Sequence, residues 1–190
     1  MHSPSVLETI HWKLFPGMLM ITIYQKASKL IKNFALLTAL LPLIAWSNVT
    51  YQMANPENKK VTVRLALTRA EHQQGLSGIK DADFPVTEAM LFVNDSMGTR
   101  RFWMPDTYFK LDIVFLDSQL KVVGIEKDVP FHPGLAEPPV IYRTKSYEAQ
   151  FVLETKGSSP FSKKLKVGDK LKWISPISLS EIVLKTRRSQ

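Results

Sequence analysis

Val61-Thr-Val-Arg-Leu-Ala-Leu67 carries apolar side chains at 61, 63, 65 and 67. That two-residue period belongs to a strand with one face on a core and the other toward water. It returns at Tyr147-Glu-Ala-Gln-Phe-Val-Leu-Glu154, where 147, 149, 151 and 153 fall on one face. Ala89–Val93 is a short apolar run. Asp112–Leu116 and Leu120–Ile125, joined through Asp117-Ser118, read as a hairpin. No amphipathic helical segments of about 10–15 residues alternate with these runs, which excludes a doubly wound α/β sheet. The expectation is a mainly β (β-rich α+β) domain. It should form a small closed or nearly closed barrel, or a sandwich, with one or two short helices.

Local signals add detail. Thr68 with Glu71 three residues on is a capping box opening a short helix, which Gly75 or Gly78 ends. Asn94–Gly98 has turn composition, and Arg101–Met104 is strand-like until Pro105-Asp106 stops it. Prolines at 130, 133, 138 and 139 make residues 130–139 a stiff loop. Phe161–Leu165 reads as one helical turn, and Val167-Gly168-Asp169 turns into a last strand at Lys170–Ile174. The tail from Ser175 reads as weakly ordered.

The N-terminal 47 residues read as an address. Lys26, Lys29 and Lys32 precede Phe34–Trp46, a run without charge, and Ala45-Trp46-Ser47 is a small-x-small site. This is the layout of a secretory signal peptide, with cleavage expected after Ser47. A helix over the apolar run spans about 20 Å, short of a hydrocarbon core of about 30 Å. An uncleaved anchor is the alternative, and it too leaves the rest of the chain outside the cytoplasm. Met18 or Met20 would open a signal of more usual length. The organisation expected is therefore 1–47 extension and signal, 48–60 linker, 61–173 β-rich domain and 174–190 tail. The location expected is periplasmic or secreted. The absence of cysteine excludes a disulfide scaffold, a thiolate zinc site and a cysteine nucleophile.

Gly75-Leu76, Ala89-Met-Leu-Phe92, Phe102-Trp-Met104, Thr107 and Leu111-Asp-Ile-Val-Phe115 follow one another in a spacing that resembles a known family. It is family 192 of the domains of unknown function, also catalogued as uncharacterised protein family 0127. Later pieces of the resemblance are Phe151-Val-Leu-Glu154 with Gly157, and Val167-Gly168-Asp169, so that it covers roughly residues 61–173. Departures are Ser77 for the family's Met, Ala89 for Gly, Pro105-Asp106 for Lys-Asn and Lys110 for Pro. The resemblance implies a compact β-rich domain, often exported, and no established reaction.

The segment from Phe102 to Asp112 is the densest in chemistry. In a strand, Phe102 and Met104 point one way and Trp103 the other. With the first two in the core, Trp103 reaches a rim, where with Thr107 and Asp112 it would make a ligand platform bordered by loop 130–139. The competing reading packs Trp103 under that loop and lets Asp112 accept backbone hydrogen bonds. Glu148 and Glu154 would share a strand face, read as solvent-exposed. His72 and His132 lie far apart, and Met90 and Met104 read as core filler, leaving Met97 exposed, so no metal and no cofactor is expected. The net charge of +8 includes a cluster at Lys163, Lys164, Lys166, Lys170 and Lys172. These lysines suit a protected sheet edge or contact with an anionic surface.

The favoured expectation is an exported binding or accessory module of the cell envelope, more a binder than an enzyme. Its partner would be an unknown small molecule or envelope component, met as a monomer, with peripheral membrane contact open and nucleic acid excluded. One alternative is a hydrolase or lyase acting on an envelope polymer through Asp112. Another is an electrostatic scaffold using the lysine face at 163–172.

Overall fold

The computed structural model describes residues 50–188, so the expected signal segment and its cleavage after Ser47 lie outside the described residues. The strands are β1 (Tyr51–Ala54), β2 (Lys60–Ala66), β3 (Glu88–Arg100), β4 (Leu111–Leu116), β5 (Val122–Val129), β6 (Tyr147–Lys156) and β7 (Lys172–Trp173). The helices are α1 (Arg69–Gln74) and α2 (Leu179–Arg188), with a 3-10 turn at Asp81–Asp83. The strands form one seven-stranded sheet in the order β5-β4-β6-β3-β2-β1-β7. Among the described strands only β2 and β3 run parallel, and α1 and the 3-10 turn lie in the crossover that such a pair requires.

The sheet curls. Near its two ends an isolated bridge joins Lys121 to Lys170, and Leu171 N–H donates to the Leu120 carbonyl at 2.9 Å. β5 and β7 do not otherwise pair, so the domain is a curled half-barrel and not the fully closed barrel among the expected forms. β7 has only two residues and cannot carry a longer ladder.

Apolar side chains fill both faces. One cluster gathers Met53, Val63, Leu91, Val114, Phe151, Leu153 and Ile182; the other gathers Leu76, Phe84, Phe92, Met104, Ile113, Phe115 and Val152. A central strand here is therefore buried on both sides, as β4 is at all of its positions.

Thr68 caps α1 as its spacing predicts. Its hydroxyl accepts the Glu71 N–H at 3.2 Å, and the Glu71 carboxylate accepts the Thr68 and Leu67 N–H groups at 2.8 Å each. These backbone donors hold the Glu71 carboxyl below its ordinary pKa. Gly75 ends the helix at φ +46°, and a Cβ there would stand 3.1 Å from the Phe92 ring.

Several segments differ from expectation. The expected linker 48–60 contains β1, with Met53 fully buried between β2 and β7. The expected weak tail contains α2, which buries Ile182 and Thr186. Ser178 caps it through the Glu181 N–H, and the Trp173 indole donates to the Ile177 carbonyl at 2.7 Å. Asn94–Gly98 is an irregular stretch of β3 rather than a turn. Its pairing with β6 slips between Val93 and Gly98, and the Asn94 and Gln150 side chains each bond the other's carbonyl across the slip. That slip also breaks the alternation of β6, since Ala149 packs in the second cluster while Phe151 and Leu153 pack in the first. Arg101–Met104 is a single bridge, Trp103 to Arg143, and not a strand.

Candidate functional site

A cleft of about 380 Å³ opens where the end of α1 meets β3, the Phe102–Thr107 segment and β6. Its position follows from local anchors. Ser77 Oγ donates to the Pro105 carbonyl at 2.7 Å, and Gly78 N–H donates to the Asp106 carbonyl at 2.8 Å, tying the exit of α1 to the 104–107 segment. The segment is in turn fastened to loop 130–139. Thr107 N–H donates to the His132 carbonyl, His132 N–H donates to Thr107 Oγ1, and Asp106 N–H donates to the Gly134 carbonyl, all within 2.9 Å.

Apolar walls come from Leu76, Phe92, Phe102, Met104 and Leu111. Phe92 and Phe102 meet edge to face at 4.7 Å, which fixes both rings. His72 also lines the cleft and packs edge-on against Phe92 at 5.5 Å. Its Nε2 is 3.0 Å from the Ala66 carbonyl, which can only accept, so Nε2 carries a hydrogen.

Glu154 is the carboxyl in the lining. It lies on β6 opposite Met90 of β3 and Ile113 of β4, on the same face as Val152, and is only 4% exposed. No charge or hydrogen bond among the described residues stabilises its ionised form, and burial alone raises its pKa to about 8. At neutral pH it is therefore an acid that keeps its proton. The expectation that Glu154 sits on a solvent-exposed face with Glu148 is overturned. Glu148 is exposed, where it accepts a hydrogen bond from Thr99, but a central strand packed on both faces leaves Glu154 buried.

Arg69, Arg100 and Arg101 surround the same cleft. Arg100 donates to the Ala149 and Ser96 carbonyls, and Arg101 to the Thr144 carbonyl. Carbonyls orient a guanidinium without neutralising it. Among the described residues none of the three arginines forms an ion pair.

The residues singled out from sequence are divided. Trp103 is 52% exposed at the rim, as its alternation with Phe102 and Met104 predicts, with the Arg143 guanidinium 5.5 Å from its ring. Thr107 lines the cleft, but its hydroxyl is occupied by the Met104 carbonyl and the His132 N–H. Asp112 is not with them. It shares the opposite face of β4 with Val114 and Leu116 and is 1% exposed. Asp128 N–H donates to its Oδ1 at 2.9 Å, Ser162 Oγ donates to its Oδ2 at 2.7 Å, and Lys127 Nζ lies 3.5 Å away. Asp112 is a satisfied structural carboxylate. Lys163, Lys164, Lys166, Lys170 and Lys172 are all exposed, and Lys164 pairs with Glu57 at 3.0 Å. Among the described residues, no group of three or more His, Cys, Asp or Glu is placed to hold a metal ion.

Sequence reasoning missed Glu154, His72 and the three arginines as one constellation. A signal existed for Glu154: it closes the apolar run Phe151-Val-Leu153, in a strand flanked by apolar strands on both sides.

Fold and cleft together define a β-rich domain with one sided access to a buried acid. A family model covers residues 51–173, and the chain belongs to that family, DUF192, described as uncharacterized ACR, COG1430. Its fold is similar to two solved structures. One is a candidate transcription regulator from Sinorhizobium meliloti, at 22% identity and a TM-score of 0.52, covering 66% of this chain and 92% of that one. The other is a protein of unknown function from Novosphingobium aromaticivorans, at 23% identity and a TM-score of 0.52, covering 67% of this chain and 89% of that one. At these identities the likeness concerns the fold. No curated protein matches the chain.

Proposed function

We propose that this is an exported envelope module that binds a small molecule in the cleft above Glu154. The observation that supports the reading is the unpartnered, buried carboxyl lining a cleft with apolar walls and arginines. A protein that merely needed a core would place an aliphatic side chain at 154, because an unpaired buried acid destabilises the fold. Trp103 belongs to the reading as a rim group, Thr107 as a residue that holds the rim in shape, and Asp112 as a support on the other face. The test is to purify the protein, denature it and identify released small molecules by mass spectrometry. One species near equimolar with protein, absent from a Phe102→Ala variant that still folds, supports the reading. Its failure would be a released profile identical in the two proteins.

Export belongs to the proposal too, resting on the basic, apolar and small-residue order of residues 26–47. The mature N-terminus in fractionated cells is expected at Asn48. Exported protein retaining peptides upstream of Phe34 would refute cleavage.

A second reading is favoured by one observation: Glu154 holds its proton near neutrality and shares the cleft with His72. An acid and an imidazole facing one cavity suit proton transfer. If the module is an enzyme, its carboxyl is Glu154, because Asp112 has no open side. The five exposed lysines support a peripheral scaffold as a further role. Salt-sensitive binding to anionic vesicles would support it, and no binding at low salt would count against it.

A further inference from the structure

We infer that the cleft takes an organic anion: a ligand with a carboxylate or phosphate head held by Arg69, Arg100 and Arg101, and an apolar body laid on Phe92 and Phe102. This rests on the binding-module reading and specifies the ligand class.

The charge around the cleft is one-sided. Three arginines line it and none is paired with a carboxylate among the described residues. Arg100 and Arg101 are held in place through backbone carbonyls, so they are oriented in advance and keep full charge. A planar guanidinium suits the two oxygens of a carboxylate or phosphate. The walls between them are aromatic and aliphatic, which gives a small inorganic anion nothing to bury and an amphipathic one a great deal.

Glu154 fits the same ligand only as a neutral acid. Protonated, it adds no opposing charge and supplies an O–H donor to an acceptor on the ligand. Ionised, it puts a negative charge in the cleft and weakens the anion's binding. The charged and titratable residues that share the cleft lining with it are His72 and Arg69 from α1, and Arg100 and Arg101 at and beyond the end of β3. Its cross-strand neighbours, Met90 and Ile113, carry no charge. Lys156 lies two positions along β6 and is already paired with Asp81 at 2.8 Å. Affinity for the anion should therefore fall as pH rises through the range in which Glu154 ionises.

The test uses three probes of one shape: 3-phenylpropionate, its primary amide and 3-phenylpropylamine. Binding to the full chain is read from the methyl signals of methionines labelled with carbon-13. Met104 lines the cleft, and Met53, in the other cluster, is the internal control. The carboxylate is expected to shift the Met104 signal and leave that of Met53 unmoved, with affinity about tenfold above the amide. Arg69→Gln, which removes an exposed side chain, should weaken the carboxylate several-fold and leave the amide unchanged. Between about pH 6.5 and about pH 9.5 the wild-type affinity should fall about tenfold, and Glu154→Gln should bind as well at both. Equal binding of amide and carboxylate, or tighter binding of the amine, overturns the anion inference while leaving a binding module. A Met104 signal unmoved by every probe at its solubility limit also overturns the inference. The denaturation experiment then decides separately whether the cleft holds a ligand of another kind.

Discussion

Replacing Glu154 by Gln should stabilise the domain, and by an amount that depends on pH in a way no surface residue can mimic. The carboxyl titrates at 4.5 in its ordinary state and at about 8 in the fold. Below the first value both states hold the proton and the substitution is near neutral. Between the two, the unfolded chain releases the proton and the folded chain retains it, so native stability falls as pH rises, by about 1.4 kcal/mol per pH unit. At about pH 7 the accumulated cost is about 3 kcal/mol, and above the folded value it stays constant at about 5 kcal/mol. Gln has the same shape and no titration. The assay is urea unfolding of wild type and Glu154→Gln across that range, taking the difference at each pH so that all other groups cancel. Near neutrality the variant should melt roughly 10 °C higher in a parallel thermal scan. A difference that is flat from acid to neutral pH would refute the reasoning. It would mean that the arginines of the cleft keep Glu154 ionised, and that no neutral acid is present.

Three further outcomes follow from the packing. Gly124→Ala would place a methyl group 2.1 Å from the Tyr147 ring, whose hydroxyl is tied to Glu126 at 2.9 Å, so a loss of at least about 2 kcal/mol is expected in chemical unfolding. Asp112→Ala should destabilise by about 2–4 kcal/mol, because it removes the acceptor of the Asp128 N–H and the Ser162 hydroxyl, while leaving ligand release from the cleft unchanged in folded protein; lost binding with stability intact would return Asp112 to the site. Ile182→Ala should cost about 2–4 kcal/mol, since that side chain is 3% exposed in the first cluster, and unchanged unfolding would show that α2 is dispensable.

Much of the local structure was legible in the chain. Alternation marked β2, Asp117-Ser118 marked the β4–β5 hairpin, and Thr68 with Glu71 marked α1, because each signal depends on neighbours within a few residues. The rim position of Trp103 was legible for the same reason. The errors were all of another kind. Residues 51–54 carry too few side chains to announce a strand, and become β1 only because β2 and β7 lie on either side. Asn94–Gly98 has turn composition but stays extended because β6 and Gln150 satisfy it. The tail folds because Ile182 finds a core built by residues far earlier in the chain.

The sequence by itself determined a cysteine-free, β-rich domain of a recognisable family. Those properties are written in composition, period and order. The tertiary structure alone decided the site. Asp112 and Glu154 are both acids in apolar strands, and one-dimensional pattern cannot tell them apart. Curling the sheet aims Asp112 at Ser162 and Lys127, where its charge is satisfied, and aims Glu154 into a cleft with no partner. Burial and partners are properties of three dimensions, and they determine which carboxyl holds its proton and which merely holds the fold.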